Sequence, residues 1–130
     1  MLDFIFNILP YSMTVRGKWK IAEATLGGKA LPSSSFEKMI LELDENSYQL
    51  IEGKVIDSGI IEPVENATPL AMDIIGVFGP NKGKTFQCIY RFENEDMIMC
   101  YNLGGDGYPE KFESPDNSLL YLVRYKRVDA

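Results

Sequence analysis

The chain of 130 residues fits one domain, and its 45% hydrophobic and 25% charged residues are the balance of a globular protein able to bury a core. A net charge of −6 argues against the basic face that a nucleic-acid backbone requires and disfavours docking on anionic membranes. The chain has no histidine, which removes the commonest general base and metal ligand, His-ligated haem, and the Ser-His-Asp and Cys-His arrangements in their usual forms.

The first ten residues, Met1-Leu2-Asp3-Phe4-Ile5-Phe6-Asn7-Ile8-Leu9-Pro10, are apolar but far too few to span a bilayer, which takes roughly 18 apolar residues. They lack the positive n-region and the cleavage site of a signal peptide, so a cytoplasmic location is the expectation. The pattern predicts one or two helical turns ended by Pro10, within an N-terminal segment 1–14. Two roles suit that segment: a plug over one end of the core, or a sticky surface for homodimer formation.

From residue 16 the hydrophobic period becomes two. Trp19, Ile21 and Glu23 fall on one side, with Lys18, Lys20 and Ala22 on the other. Gly27-Gly28 signals a tight turn, and Pro32-Ser33-Ser34-Ser35 a loop. Met39, Leu41 and Leu43 alternate with Ile40, Glu42 and Asp44, and a polar turn leads into a return strand over 48–52. The next strand, 55–62, contains Gly59, which marks a bulge or bend. Further strands are expected over 70–78, 84–92, 97–101, 111–113 and 119–128, separated by Gly-, Pro- and Asn-containing turns.

Short strands at such regular spacing, with no long helical pattern, predict an all-β domain over 15–130. A meander of this kind closes readily, because closure removes the edge strands that would otherwise aggregate. The expected fold is a closed antiparallel up-and-down barrel of about eight strands with a short N-terminal helical or irregular segment.

Gly17-Lys18-Trp19 on the first strand resembles the GxW signature of lipocalins and related calycin barrels. Gly28-Lys29-Ala30-Leu31-Pro32, Gly79-Pro80-Asn81-Lys82-Gly83-Lys84-Thr85, Ile89-Tyr90, Met99-Cys100-Tyr101, Tyr108-Pro109-Glu110-Lys111-Phe112 and Tyr125-Lys126-Arg127 extend the likeness. Together they resemble an uncharacterised lipocalin-like domain family abundant in Planctomycetes, over about residues 15–128, which implies a bacterial source. The resemblance implies the barrel fold and no particular activity. It also implies that Trp19 fills the closed end and stacks on a basic residue of the last strand, Arg124 or Arg127.

No catalytic set, metal site or cofactor site is assigned. Gly79-Pro80-Asn81-Lys82-Gly83-Lys84-Thr85 approaches a phosphate-binding loop, but only three residues separate its glycines and a β-pattern follows where a helix is needed. Asp44-Glu45 and Glu93, Glu95 and Asp96 are acidic groups on expected turn tips, where solvated charge is the ordinary explanation. Cys88 and Cys100 flank the turn at 93–96. A turn centred on Asn94 sets them opposite one another, and a centre half a residue later shifts the register by one, so both a cross-strand pair and two reduced thiols remain open.

Candidate barrel-interior residues are Trp19, Glu23, Tyr48, Met72, Phe86, Tyr90, Met99, Tyr101, Tyr121 and Arg127. Glu23 would be turned inward by alternation from Trp19 if no bulge intervenes, or would sit on the rim. The tyrosines and methionines either wall a pocket with hydroxyl handles or fill the barrel with side chains. The expectation is a non-enzymatic protein that binds a small apolar or amphipathic ligand. The alternative is a structural or protein-interaction module with a filled barrel.

Overall fold

A computed structural model describes residues 14–128. It contains nine strands: β1 (Gly17–Leu26), β2 (Lys29–Ala30), β3 (Ile40–Leu43), β4 (Ser47–Glu52), β5 (Lys54–Pro63), β6 (Ala71–Phe78), β7 (Thr85–Glu93), β8 (Asp96–Asn102) and β9 (Leu120–Arg127). Strand β2 pairs only with the end of β1. The other eight follow the order β1-β3-β4-β5-β6-β7-β8-β9, all antiparallel, and β9 pairs back onto β1. The fold is therefore the closed up-and-down barrel that the strand spacing predicts. No helix among the described residues is long and apolar enough to cross a membrane. The plug or dimer role expected of 1–14 falls, apart from Thr14, outside the described residues.

Local chemistry sets the turns. Gly27 and Gly28 close the β1–β2 hairpin with φ of 58° and 82°, a left-handed pair that side-chain-bearing residues rarely adopt. Asn94, at φ 59°, does the same between Glu93 and Asp96. Gly59 lies at an irregularity in the β5–β6 register, as its place in the sequence predicts.

Alternation then sorts the side chains. Trp19, Leu41, Leu43, Tyr48, Ile61, Met72, Cys88, Met97, Met99, Val123 and Tyr125 belong to one buried interior cluster. A second, smaller cluster lies outside the barrel wall, where Val64, Ala67, Phe112, Leu120 and Leu122 cover Ala71, Ile89 and Cys100. Its cover explains one departure from expectation. Residues 111–113 form no strand, because the closed barrel leaves β8 and β9 no free edge to pair with. The segment between β8 and β9 instead lies over the outer wall, with Phe112 under the Arg91 guanidinium at 4.5 Å from the ring centroid.

At one end the barrel is shut by Trp19, which is fully buried. Arg127 stacks on its ring at 4.2 Å, which assigns the basic partner to Arg127 rather than Arg124. The indole N–H donates to the Val15 carbonyl at 2.9 Å, and the Arg127 guanidinium donates to the Arg16 and Thr14 carbonyls at 2.7 and 2.8 Å. Truncation of Trp19 to alanine is expected to cost about 3–5 kcal/mol in urea denaturation, the usual loss for a buried aromatic. A loss below about 1 kcal/mol would show that another group closes this end.

Candidate functional site

The side chains of the described residues do not fill the barrel. A cavity of about 420 Å³ lies above the Trp19 floor, within the range of small-molecule sites. Leu41, Leu43 and Leu50 wall it from β3 and β4, and Ile61, Met72 and Ile74 from β5 and β6. Phe86, Met99, Tyr101, Tyr121 and Tyr125 complete the circle from β7, β8 and β9. Each reaches the interior because inward positions recur every second residue along a strand. At the end remote from Trp19, Met39, Asn81, Lys84 and Leu103 contribute from loops and loop-proximal positions, and this end forms the mouth.

Of the residues singled out by sequence, Tyr48, Met72, Phe86, Met99, Tyr101 and Tyr121 line the cavity. Trp19 and Arg127 sit below it as its floor. Tyr90 faces the interior cluster and meets Phe92 edge-on at 6.2 Å without lining the cavity. Glu23 requires a correction. The β1–β9 register slips between Ile21 and Glu23, so Ala22 is an extra residue that reverses the alternation. Ala24 therefore points into the core, and Glu23 points out with its side chain 78% exposed, 3.7 Å from Arg124.

That outer position belongs to an ionic cluster. Arg124 donates to Glu93 and, at 2.7 Å, to Asp96, while Lys126 reaches Asp96 at 3.1 Å. The acidic turn tip at 93–96 is thus tied to β9. The Arg124 hydrogen bond and charge hold the Glu93 carboxyl below its ordinary value. For Asp96 partial burial pushes upward, but hydrogen bonds from Arg124 and Lys126 outweigh it and the net shift is downward.

Two polar groups interrupt the apolar cavity wall. The first is a set of tyrosines. The Tyr101 and Tyr125 hydroxyls share a hydrogen bond of 2.6 Å, and the Tyr121 ring lies 5.5 Å from that of Tyr101. Burial, reinforced by neighbouring acids of the same kind, pushes Tyr101 and Tyr125 well above the ordinary tyrosine range. At neutral pH they are hydrogen-bonding hydroxyls and not phenolates.

The second polar group, centred on Asp57, went unnoticed in the sequence. Asp57 is 6% exposed and lines the cavity from β5. Its carboxylate accepts a 2.8 Å hydrogen bond from the Asn81 side-chain amide and a long 3.4 Å contact from the Tyr48 hydroxyl. Burial, and then the Asp57 charge, push Tyr48 up to about 12. Alternation through Asp57, Gly59 and Ile61 was a usable signal, since it sets the aspartate on the core face with Ile61.

Asn81 reaches Asp57 because the loop after β6 folds back on that strand. Gly83 N donates to the Gly76 carbonyl at 3.0 Å, and Gly76 N donates to the Lys84 carbonyl at 2.9 Å. A Cβ on Gly76 would collide with the Asn81 carbonyl, so this close approach requires glycine. The loop that resembles a phosphate cradle is therefore a flap on the barrel mouth, and strand β7 follows it.

The cysteine alternatives are resolved by register. Cys88 pairs with Tyr101, and Cys100 with Ile89. Cys88 thus faces the interior and Cys100 the outer cluster, on opposite faces of the wall, and both are free thiols. Burial, then the neighbouring Cys100, push the Cys88 thiol upward, which leaves it protonated and unreactive.

No protein-family model, curated protein or solved structure matches the chain.

Two pH responses follow. Glu93 and Asp96 have folded values below their unfolded ones, so their contribution is present above about pH 4 and is lost as pH falls through the folded values. The urea midpoint of the wild type is expected to drop on acidification, and Arg124→Gln to flatten that limb. Tyr48, Tyr101 and Tyr125 have raised folded values, so their contribution is complete below about pH 10 and declines above it. Phenolate absorbance is expected to show all three titrating later than free tyrosine, Tyr48 near pH 12 and Tyr101 and Tyr125 only with unfolding.

Proposed function

We propose that this protein is a lipocalin-like carrier or sensor that holds one small amphipathic molecule inside the barrel. The observation that carries the reading is the 420 Å³ cavity, whose apolar wall is broken by the tyrosine set and by Asp57 with Tyr48 and Asn81. An apolar wall supplies affinity, and a few fixed polar groups supply orientation. The Gly17-Lys18-Trp19 pattern, with Arg127 stacked on the indole, supports kinship with the lipocalin-like family of Planctomycetes and a bacterial origin.

A second reading, a protein-interaction module, draws on a different surface. Ile60, Val77 and Phe78 are 42%, 52% and 54% exposed on neighbouring stretches of β5 and β6. Such side chains in one region suit a partner or a second copy.

Native mass spectrometry of freshly purified protein separates the two. An adduct lost on denaturation is expected, and the same spectrum reads monomer against dimer. The cavity is tested directly with a neutral naphthylamine fluorophore. Leu50→Trp places a larger side chain on the half-buried cavity wall and is expected to weaken fluorophore binding by about tenfold or more, with the fold retained by circular dichroism. Equal binding by wild type and Leu50→Trp would put the fluorophore outside the barrel and sink the carrier reading.

A further inference from the structure

The Asp57 carboxylate is the clue to what the cavity takes. It is buried, faces the cavity, and has no Lys or Arg nitrogen within 4.0 Å among the described residues. A buried carboxylate is costly unless it is paired and fully hydrogen-bonded. Here one oxygen takes the short bond from Asn81, and the other has only the 3.4 Å contact with Tyr48, beyond the usual range for a hydroxyl donor. That second oxygen retains unused acceptor capacity.

Among the described residues the one other charged side chain lining the cavity is Lys84, exposed at the mouth, where water weakens its field without abolishing it. The field inside is accordingly set by Asp57. The rings of Tyr48, Phe86 and Tyr121 line the same space, and aromatic faces favour a cation.

We infer that the barrel ligand is an organic cation, a protonated amine on an apolar body. Its ammonium pairs with Asp57 beside Tyr48 and Asn81, and its body lies on Met72, Ile74 and Phe86. This rests on the carrier reading above and adds the ligand's charge to it.

The test uses three probes with one apolar body: naphthylmethylamine, naphthylmethanol and naphthoate, each titrated into the full chain by calorimetry at neutral pH. The amine is expected to bind about tenfold or more tighter than the alcohol, and the naphthoate weakest, as a charge-assisted hydrogen bond in a buried site gives. Asp57→Asn, nearly the same size, is expected to bring the amine down to the level of the alcohol and leave the alcohol unchanged. Equal binding of amine and alcohol to the wild type would overturn the cation and leave the carrier reading standing. Failure of all three probes to bind would overturn both. Lys84→Gln gives an independent arm should Asp57→Asn not fold. Loss of that like charge at the mouth is expected to tighten the amine about two- to threefold without moving the alcohol, and an unmoved amine affinity would count against the inference.

Discussion

Trp19 and Arg127 face one another across the seam where the first long strand meets the last, and the barrel depends on that contact. They are register partners in the β1–β9 pairing, so the stack is also the point at which the two ends of the domain meet. The two terminal nitrogens of the Arg127 guanidinium donate to the carbonyls of Thr14 and Arg16, and the indole N–H donates to the Val15 carbonyl. Most of the polar capacity at this end goes to the protein's own backbone. This floor sets the depth of the cavity above it.

Given the floor, the interior is decided by alternation and its interruptions. Eight strands leave a bore just wide enough either to be filled or to hold one small molecule. The side chains of the described residues do not fill it, and glycine occupies facing positions on β5 and β6. Gly59 and Gly76 are register partners, and each gives its space to backbone: Gly59 to the Ile75 carbonyl, Gly76 to the folded-back loop carrying Asn81. Bulk missing from the wall is replaced by a polar flap at the mouth.

The parts of this arrangement legible in the sequence are those that depend on period and turn chemistry. Strand positions follow from alternation and the Gly27-Gly28 and 93–96 turns from turn chemistry, the tryptophan floor follows from the resemblance to calycin barrels, and six of the candidate interior residues line the cavity. What was lost depended on single-residue register. One extra residue, Ala22, reverses the face of Glu23, and no local composition announces a bulge there. A half-residue change in the centre of the 93–96 turn decides whether Cys88 and Cys100 share a face, and both centres were compatible with the sequence. Residues 111–113 look like a strand because Phe112 is flanked by polar residues. The same pattern serves a loop that presses one aromatic onto an outer cluster. Asp57 was legible by alternation and was missed because an isolated acid in a strand draws no attention unless its face is tracked.

The two ends of the barrel therefore differ in how their polar groups are satisfied, and this difference assigns their roles. At the floor, Arg127 is a buried-side cation that finds an aromatic face and backbone carbonyls within the chain. At the mouth, Asp57 is a buried anion that finds one amide and a distant hydroxyl. A fold selected only for stability would give Asp57 a cation of its own. An arginine on the neighbouring strand would do so, as Arg124 does on the outside for Glu93 and Asp96. The same chain thus pairs Glu93 and Asp96 on its outer face with Arg124 and leaves Asp57 in its cavity without a cation among the described residues, the pattern expected where the positive charge arrives with the ligand.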